Sequence, residues 1–219
     1  MAINLQKVTL QKQGDVHAID LTKRDSLSKE IIINLNWSQG IAKKGFLSGL
    51  FGSGSDIDLD LGCFYELNNG EKLVIDGLQF SQGRGGSKER LTMQGRYTDS
   101  PWIWHTGDDR GTSSSSGENI LVNPQGTQHL KRMTIYCFIY QGAARWAETN
   151  GVITIKVAGS PDIEVEMGLQ NDPRKFCAIA EIHFSKAAMQ VKKLVTFHNS
   201  HADCDKKYNW GMKWGAGSK

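Results

Sequence analysis

The chain has 219 residues, 39% hydrophobic and 22% charged, the proportions of an ordinary globular protein and not of a disordered or collagen-like one. Its 26 Lys+Arg against 23 Asp+Glu leave a formal charge of +3, too close to balance to announce a nucleic-acid binder. There is no apolar run of roughly 18 residues, and the opening MAINLQKVTLQKQ has no charged segment leading into an apolar one, so a cytoplasmic protein without signal peptide or membrane-spanning helix is expected.

Apolar residues recur in short blocks rather than in stripes of period 3.6, and these blocks predict strands. In chain order they are IIINLNW (31–37), DIDLDLGCFYEL (56–67), KLVIDGLQF (72–80), MTIYCFIY (133–140), VITIKVA (152–158), IEVEM (163–167), FCAIAEIHF (176–184) and MQVKKLVTFH (189–198). Turn-like groups separate them: Asn68-Asn69-Gly70, Thr149-Asn150-Gly151, Gly159-Ser160-Pro161 and Asn171-Asp172-Pro173. Asn-Gly between apolar runs favours a hairpin, because both residues accept positive φ. Helix is confined to short pieces, Gly142–Thr149 and Ala202–Lys207. The expected fold is an all-β, mainly antiparallel β-sandwich, one domain over 1–219, with irregular stretches near 38–55, 81–99 and 107–117.

The sharpest chemical signal is Asp56-Ile57-Asp58-Leu59-Asp60-Leu61. In a strand Asp56, Asp58 and Asp60 share one face while Ile57, Leu59 and Leu61 pack on the other. Carboxylates about 7 Å apart on one face repel unless a positive charge lies over them. Calcium, which takes several carboxylate and carbonyl oxygens, meets that need; a solvated strand face is the equal alternative. An EF-hand is rejected, because its sixth position is Leu61 and its twelfth Leu67. A second acidic stretch, His105-Thr106-Gly107-Asp108-Asp109-Arg110-Gly111-Thr112, runs through four serines to Gly117-Glu118 and is rich in oxygen donors. Taken alone it reads as a polar surface loop.

Other features carry less. Gly83-Arg84-Gly85-Gly86-Ser87-Lys88 lacks the lysine spacing of a phosphate loop. His198, His201 and Cys204 have no fourth zinc ligand at a recognisable spacing. The segment around Phe46, Leu47, Leu50 and Phe51, beside Lys43 and Lys44, offers a contact for a membrane surface or a protein partner, against the plainer reading that it caps the sandwich. Cys63, Cys137, Cys177 and Cys204 are scattered without a C-x-x-C pair, so four reduced thiols and no disulfide are expected.

A family likeness rests on Asn36-Trp37, on Ile57-Asp58-Leu59-Asp60-Leu61-Gly62-Cys63 with Tyr65-Glu66-Leu67, and on Gly107-Asp108-Asp109-Arg110 followed by Gly117-Glu118-Asn119. It continues through Phe138-Ile139-Tyr140, Trp146-Ala147, Gly151-Val152, Cys177-Ala178-Ile179-Ala180 and Tyr208-Asn209-Trp210-Gly211-Met212-Lys213-Trp214. In these residues the chain resembles the TerD-domain proteins of bacterial tellurite-resistance and stress operons, in particular their TerA-like branch. The resemblance implies a calcium-binding β-sandwich without enzymatic activity, acting with other proteins of the same resistance system or at a membrane-associated complex. Asp58 and Asp60 match the family's first acidic motif, Asp108 and Asp109 its G-D-[ND] motif, and Glu118 the acid that ends the second loop; Asp56 is added from strand geometry. Where the family often continues with x-T-G and a further acid, this chain reads Arg110-Gly111-Thr112 and then serines, which leaves one of two calcium sites short of ligands.

Three rivals remain. A metal-dependent hydrolase needs a base near the metal, for which His105 is the candidate. Thiol-based detoxification needs an exposed, acidified cysteine, for which Cys204 is the candidate. Nucleic-acid binding through Arg84, Lys88, Arg90 and Arg96 is the least favoured.

Overall fold

The computed structural model describes residues 6–37, 57–76, 88–107, 117–168 and 170–215. Two sheets form from them. The seven-stranded sheet runs in the order β1 (Val8–Leu10), β11 (Ile163–Glu166), β10 (Val152–Lys156), β3 (Ile31–Asn36), β8 (Glu118–Val122), β7 (Ile103–His105) and β6 (Gly95–Arg96). The six-stranded sheet runs β2 (Val16–Asp20), β13 (Ala188–His198), β12 (Phe176–Phe184), β9 (Leu130–Gln141), β4 (Asp58–Leu67) and β5 (Lys72–Asp76). Of these pairings β1 with β11 is parallel and the others are antiparallel. Among the described residues two short α-helices, α1 (Trp146–Thr149) and α2 (His201–Lys207), and a 3-10 turn at Pro124–Gly126 complete an all-β sandwich of the expected class.

Alternation explains the seven-stranded sheet. In β3, Ile31, Ile33 and Leu35 are wholly buried, while Asn34 and Asn36 point the other way. Ile153 and Ile155 of β10 continue this inner face and meet Leu59, Leu61, Ile135, Ile139, Ile179 and Ile182 from the facing sheet. β4 behaves differently, because it is buried on both faces. Its outer face carries Phe64, which packs with Tyr136, Phe138, Phe176, Leu194, Cys204 and Trp210 in a second cluster beneath α2 and the C-terminal segment. Gly62 makes this possible: a Cβ there would lie 2.4 Å from the Tyr136 ring.

The turn at Asn68-Asn69-Gly70 is the expected hairpin, with Gly70 at φ +89° and its N–H donating to Leu67 O at 3.0 Å. Asn150-Gly151 plays another part. Asn150, at φ +45°, ends α1 in the left-handed conformation rather than joining two strands. The strands β1, β2, β6, β7 and β8 were not expected from their sequences. Glu118, read as the end of a loop, is the first residue of β8.

Candidate functional site

β4, β7 and β8 bring Asp60, His105 and Glu118 to one end of the sandwich. Leu59 and Leu61 lie in the core, so alternation along β4 puts Asp58 and Asp60 on its other side. Asp60 stands opposite Phe138 of β9 and Asp58 opposite Gln141, across a register slip between Asp58 and Leu59. The solvated-face reading therefore fails for Asp60, which is fully buried.

Glu118 approaches from the facing sheet and is also fully buried. The described part of β5 ends at Asp76, paired with Gly62, so Leu61 lies one step beyond that pairing. Its N–H donates to Glu118 Oε2 at 2.6 Å, and its carbonyl lies 3.1 Å from His105 Nε2. The Gly107 N–H donates to His105 Nδ1 at 3.1 Å, which assigns the ring hydrogen to Nε2 and makes that nitrogen the donor to Leu61 O. His105 Nε2 is 3.6 Å from Glu118 Oε2. Sheet register aligns these groups: His105 pairs with Ile120, Glu118 pairs with Leu35, and Gly117 sits so close to the Leu35 carbonyl that a Cβ would lie 2.0 Å from it. Glu118 and Asp60 both act on Cys137, whose thiol is pushed well up by burial first, then by Cys177 and these two acids.

A second buried set lies on the outer face of the same sheet. Asp76 Oδ2 accepts from Tyr136 Oη at 2.9 Å and from His201 Nε2 at 3.0 Å. Burial, and then Asp76, pushes the Tyr136 phenol well up. Sequence reasoning missed Asp76, a lone acid at the end of an alternating run with no spacing to mark it. It weighed His201 with His198 and Cys204, which do not gather as a metal-ligand group: His198 meets Thr196, His201 meets Asp76, and Cys204 lies in the second cluster.

No family model matches the chain. Among curated proteins, the tellurium resistance protein TerA of an Alcaligenes species is 35% identical over 217 residues, covering 99% of this chain and 60% of its own length. The chain is similar to this TerA protein over nearly its whole length. It spans about 60% of the length of that relative. A crystal structure of a telluride resistance protein (TerD) homologue from Streptomyces coelicolor A3(2) is 13% identical, with a TM-score of 0.47 over 78% of this chain and 91% of that one.

Asp58, Asp60 and Glu118 offer only oxygen, the donor a hard cation prefers, with Asp58 and Asp60 on the outer side of β4 and Glu118 approaching from the facing sheet. Among the described residues, however, no group of three or more His, Cys, Asp or Glu side chains is gathered as a metal-ligand set. Asp56, Asp108 and Asp109 lie outside the described residues, as do Phe46, Leu47, Leu50, Phe51 and Arg84.

All four cysteines are free and buried, and burial pushes the Cys204 thiol up, the opposite of an activated nucleophile. His105 is enclosed, with Nδ1 accepting from Gly107 and Nε2 facing Leu61 O. Lys88 lies 5.0 Å from the Tyr97 ring centre and 3.9 Å from Glu30, and Arg96 pairs with Asp99 at 3.1 Å, so two of the four basic residues are engaged locally. Among the described residues no helix is long and apolar enough to cross a membrane.

Proposed function

We propose that the chain is a non-enzymatic calcium-binding module of a tellurium-resistance system. The observation that carries this reading is the pair of fully buried acids, Asp60 at the start of β4 and Glu118 at the start of β8. In the sequence each closely follows a segment bearing further carboxylates, Asp56 before Asp60 and Asp108-Asp109 before Glu118. Taking carboxylates out of water is costly unless donors or a cation stabilise them. Leu61 N–H and His105 contribute to that stabilisation at Glu118, and a divalent cation would add to it. Asp56, Asp58, Asp60, Asp108, Asp109 and Glu118 are the residues that would hold it. The module then acts through other proteins of the same system, or at a membrane-associated complex, with Phe46, Leu47, Leu50 and Phe51 as the contact.

Calorimetric titration with calcium chloride, paired with thermal melts with and without chelator, tests the reading. Saturable heat is expected, and calcium at about 100 times its dissociation constant adds roughly 2.7 kcal/mol to stability. Magnesium substitutes poorly, because it demands compact octahedral geometry. Asp58→Asn weakens calcium affinity without unfolding the sandwich. No heat together with identical melts overturns the proposal.

A further inference from the structure

The two outer faces of the sandwich are treated differently. α2 and Trp210 cover the six-stranded sheet through the second cluster. The seven-stranded sheet instead bears a groove of about 700 Å³ across β11, β10, β3 and β8. Sheet register places a row of polar side chains across its floor, and Asn36, Lys156 and Asp162 line the groove beside it. Glu164 pairs with Thr154, Thr154 with Asn34, and Asn34 with Asn119. Four adjacent strands make a straight row of about 14 Å, the reach of a short oligosaccharide.

The residue types are unusual for their positions. Asparagine is depleted in strands, because its side chain competes with the ladder and packs poorly on a pleated surface. A merely solvated face is normally built from threonine and long charged side chains. Here Asn34, Asn36 and Asn119 all lie in β3 and β8, strands with partners on both sides. The amides are held in place: Asn34 Nδ2 donates to Asn119 Oδ1 at 2.9 Å and lies 3.3 Å from Glu118 O. Trp37, directly after β3, packs partly against the core and also lines the groove.

We infer that this groove binds a neutral oligosaccharide of about three sugar units. Amides offer donor and acceptor side by side, and Glu164, whose Oε2 is paired with Lys7 Nζ at 2.8 Å, accepts through its other oxygen, which matches the edge of a sugar ring bearing adjacent hydroxyls. The indole of Trp37 offers an apolar plane for the C–H face of a ring. A concave site with a few fixed polar groups and one aromatic wall is the usual form of a small-ligand site.

The test uses the whole chain. Binding is screened on an immobilised array of neutral, acidic and amino glycans, and hits are titrated in solution beside maltotriose, cellotriose and chitotriose, with amide shifts followed by NMR. Saturable binding of a neutral glycan is expected, with the largest shifts at Asn34, Asn119 and Thr154. Asn34→Ala and Trp37→Ala should each weaken it at least tenfold. Thr154→Ala, a milder change on the same floor, should weaken it several-fold, so the test survives if one of the others fails to fold. Three results overturn the inference: no saturable neutral glycan, shifts confined to another surface, or affinity unchanged in the folded variants. A preference for acidic glycans alone also counts against it. Calcium is withheld with chelator throughout, so the outcome stands apart from that of the calcium proposal.

Discussion

His198 shows how burial alone turns a side chain into a pH-dependent term. Its Nε2 lies 2.9 Å from Thr196 Oγ1, its ring packs edge-on to Phe176 and Tyr208, and its Nδ1 is 3.9 Å from Asp203 Oδ2. Burial lowers its pKa from the ordinary imidazole value; Asp203 and Asp172 oppose the shift, while Arg174 and Lys207 reinforce it. The folded state therefore binds the proton less readily than the unfolded chain. Between the lowered native value and the ordinary value near 6.5, the unfolded chain carries more protons, and stability falls as pH drops through that window. Urea unfolding at pH 7 and pH 5 should show a larger loss for the wild type than for His198→Gln. Equal losses would mean that His198 contributes nothing to acid sensitivity. Asp203 acts in the same sense, further down the pH scale. Its carboxyl is held down mainly by the Asn199 N–H, so its contribution is lost only at lower pH.

At the scale of elements, β4 shows what sequence alone could and could not convey. Its alternation of Leu and Asp is visible in the residues, and the inward side of Leu59 and Leu61 follows from it. That the opposite side would be buried too depends on Phe64, Tyr136 and Trp210, which meet only through the fold. The strands β7 and β8 were harder still. Each is short, at three and five residues, and each draws its stability from neighbours distant in sequence. The family resemblance picked out Glu118, but its hydrogen bond to Leu61 N–H spans 57 positions and has no local signature. That bond makes a prediction about the element. In excess chelator, Glu118→Ala leaves the Leu61 N–H without its acceptor in a closed space and should cost about 1–3 kcal/mol. Glu118→Gln keeps an acceptor oxygen and should cost clearly less. Denaturant unfolding of both variants decides it, and equal costs would show that loss of the carboxylate charge, not loss of the acceptor oxygen, sets the penalty.

For the whole molecule, the C-terminal segment works as a third layer rather than as a tail. Asp205 organises it, accepting from Gly211 N at 3.0 Å, Met212 N at 2.9 Å and Trp214 Nε1 at 3.1 Å. This folds the chain back over Phe64, while Trp210 lies buried beneath the Arg132 guanidinium at 4.0 Å from its ring. Arg132 also donates to Glu66 Oε2 at 2.7 Å, and Lys72 Nζ donates to Trp210 O at 3.0 Å, so β4, β5 and β9 each hold the cover. His201, within the same layer, reaches Asp76 and packs beside Trp214, joining the cover to the strand end nearest the acidic motifs. Asp205→Ala removes one acceptor from three donors at once. Because water can replace part of what is lost at the surface, the total should be about 2–3 kcal/mol. For a domain of this size that lowers the melting temperature by roughly 5–10 °C. Binding of a hydrophobic dye should rise before the main transition, as the Phe64, Phe138 and Phe176 rings lose their lid, and amide exchange should speed up in the outer positions of β4 before the core strands β3 and β10. A melt within 1 °C of wild type, with exchange unchanged in β4, would show that the rings stay covered without Asp205 and that the aromatic packing of Trp210 suffices by itself.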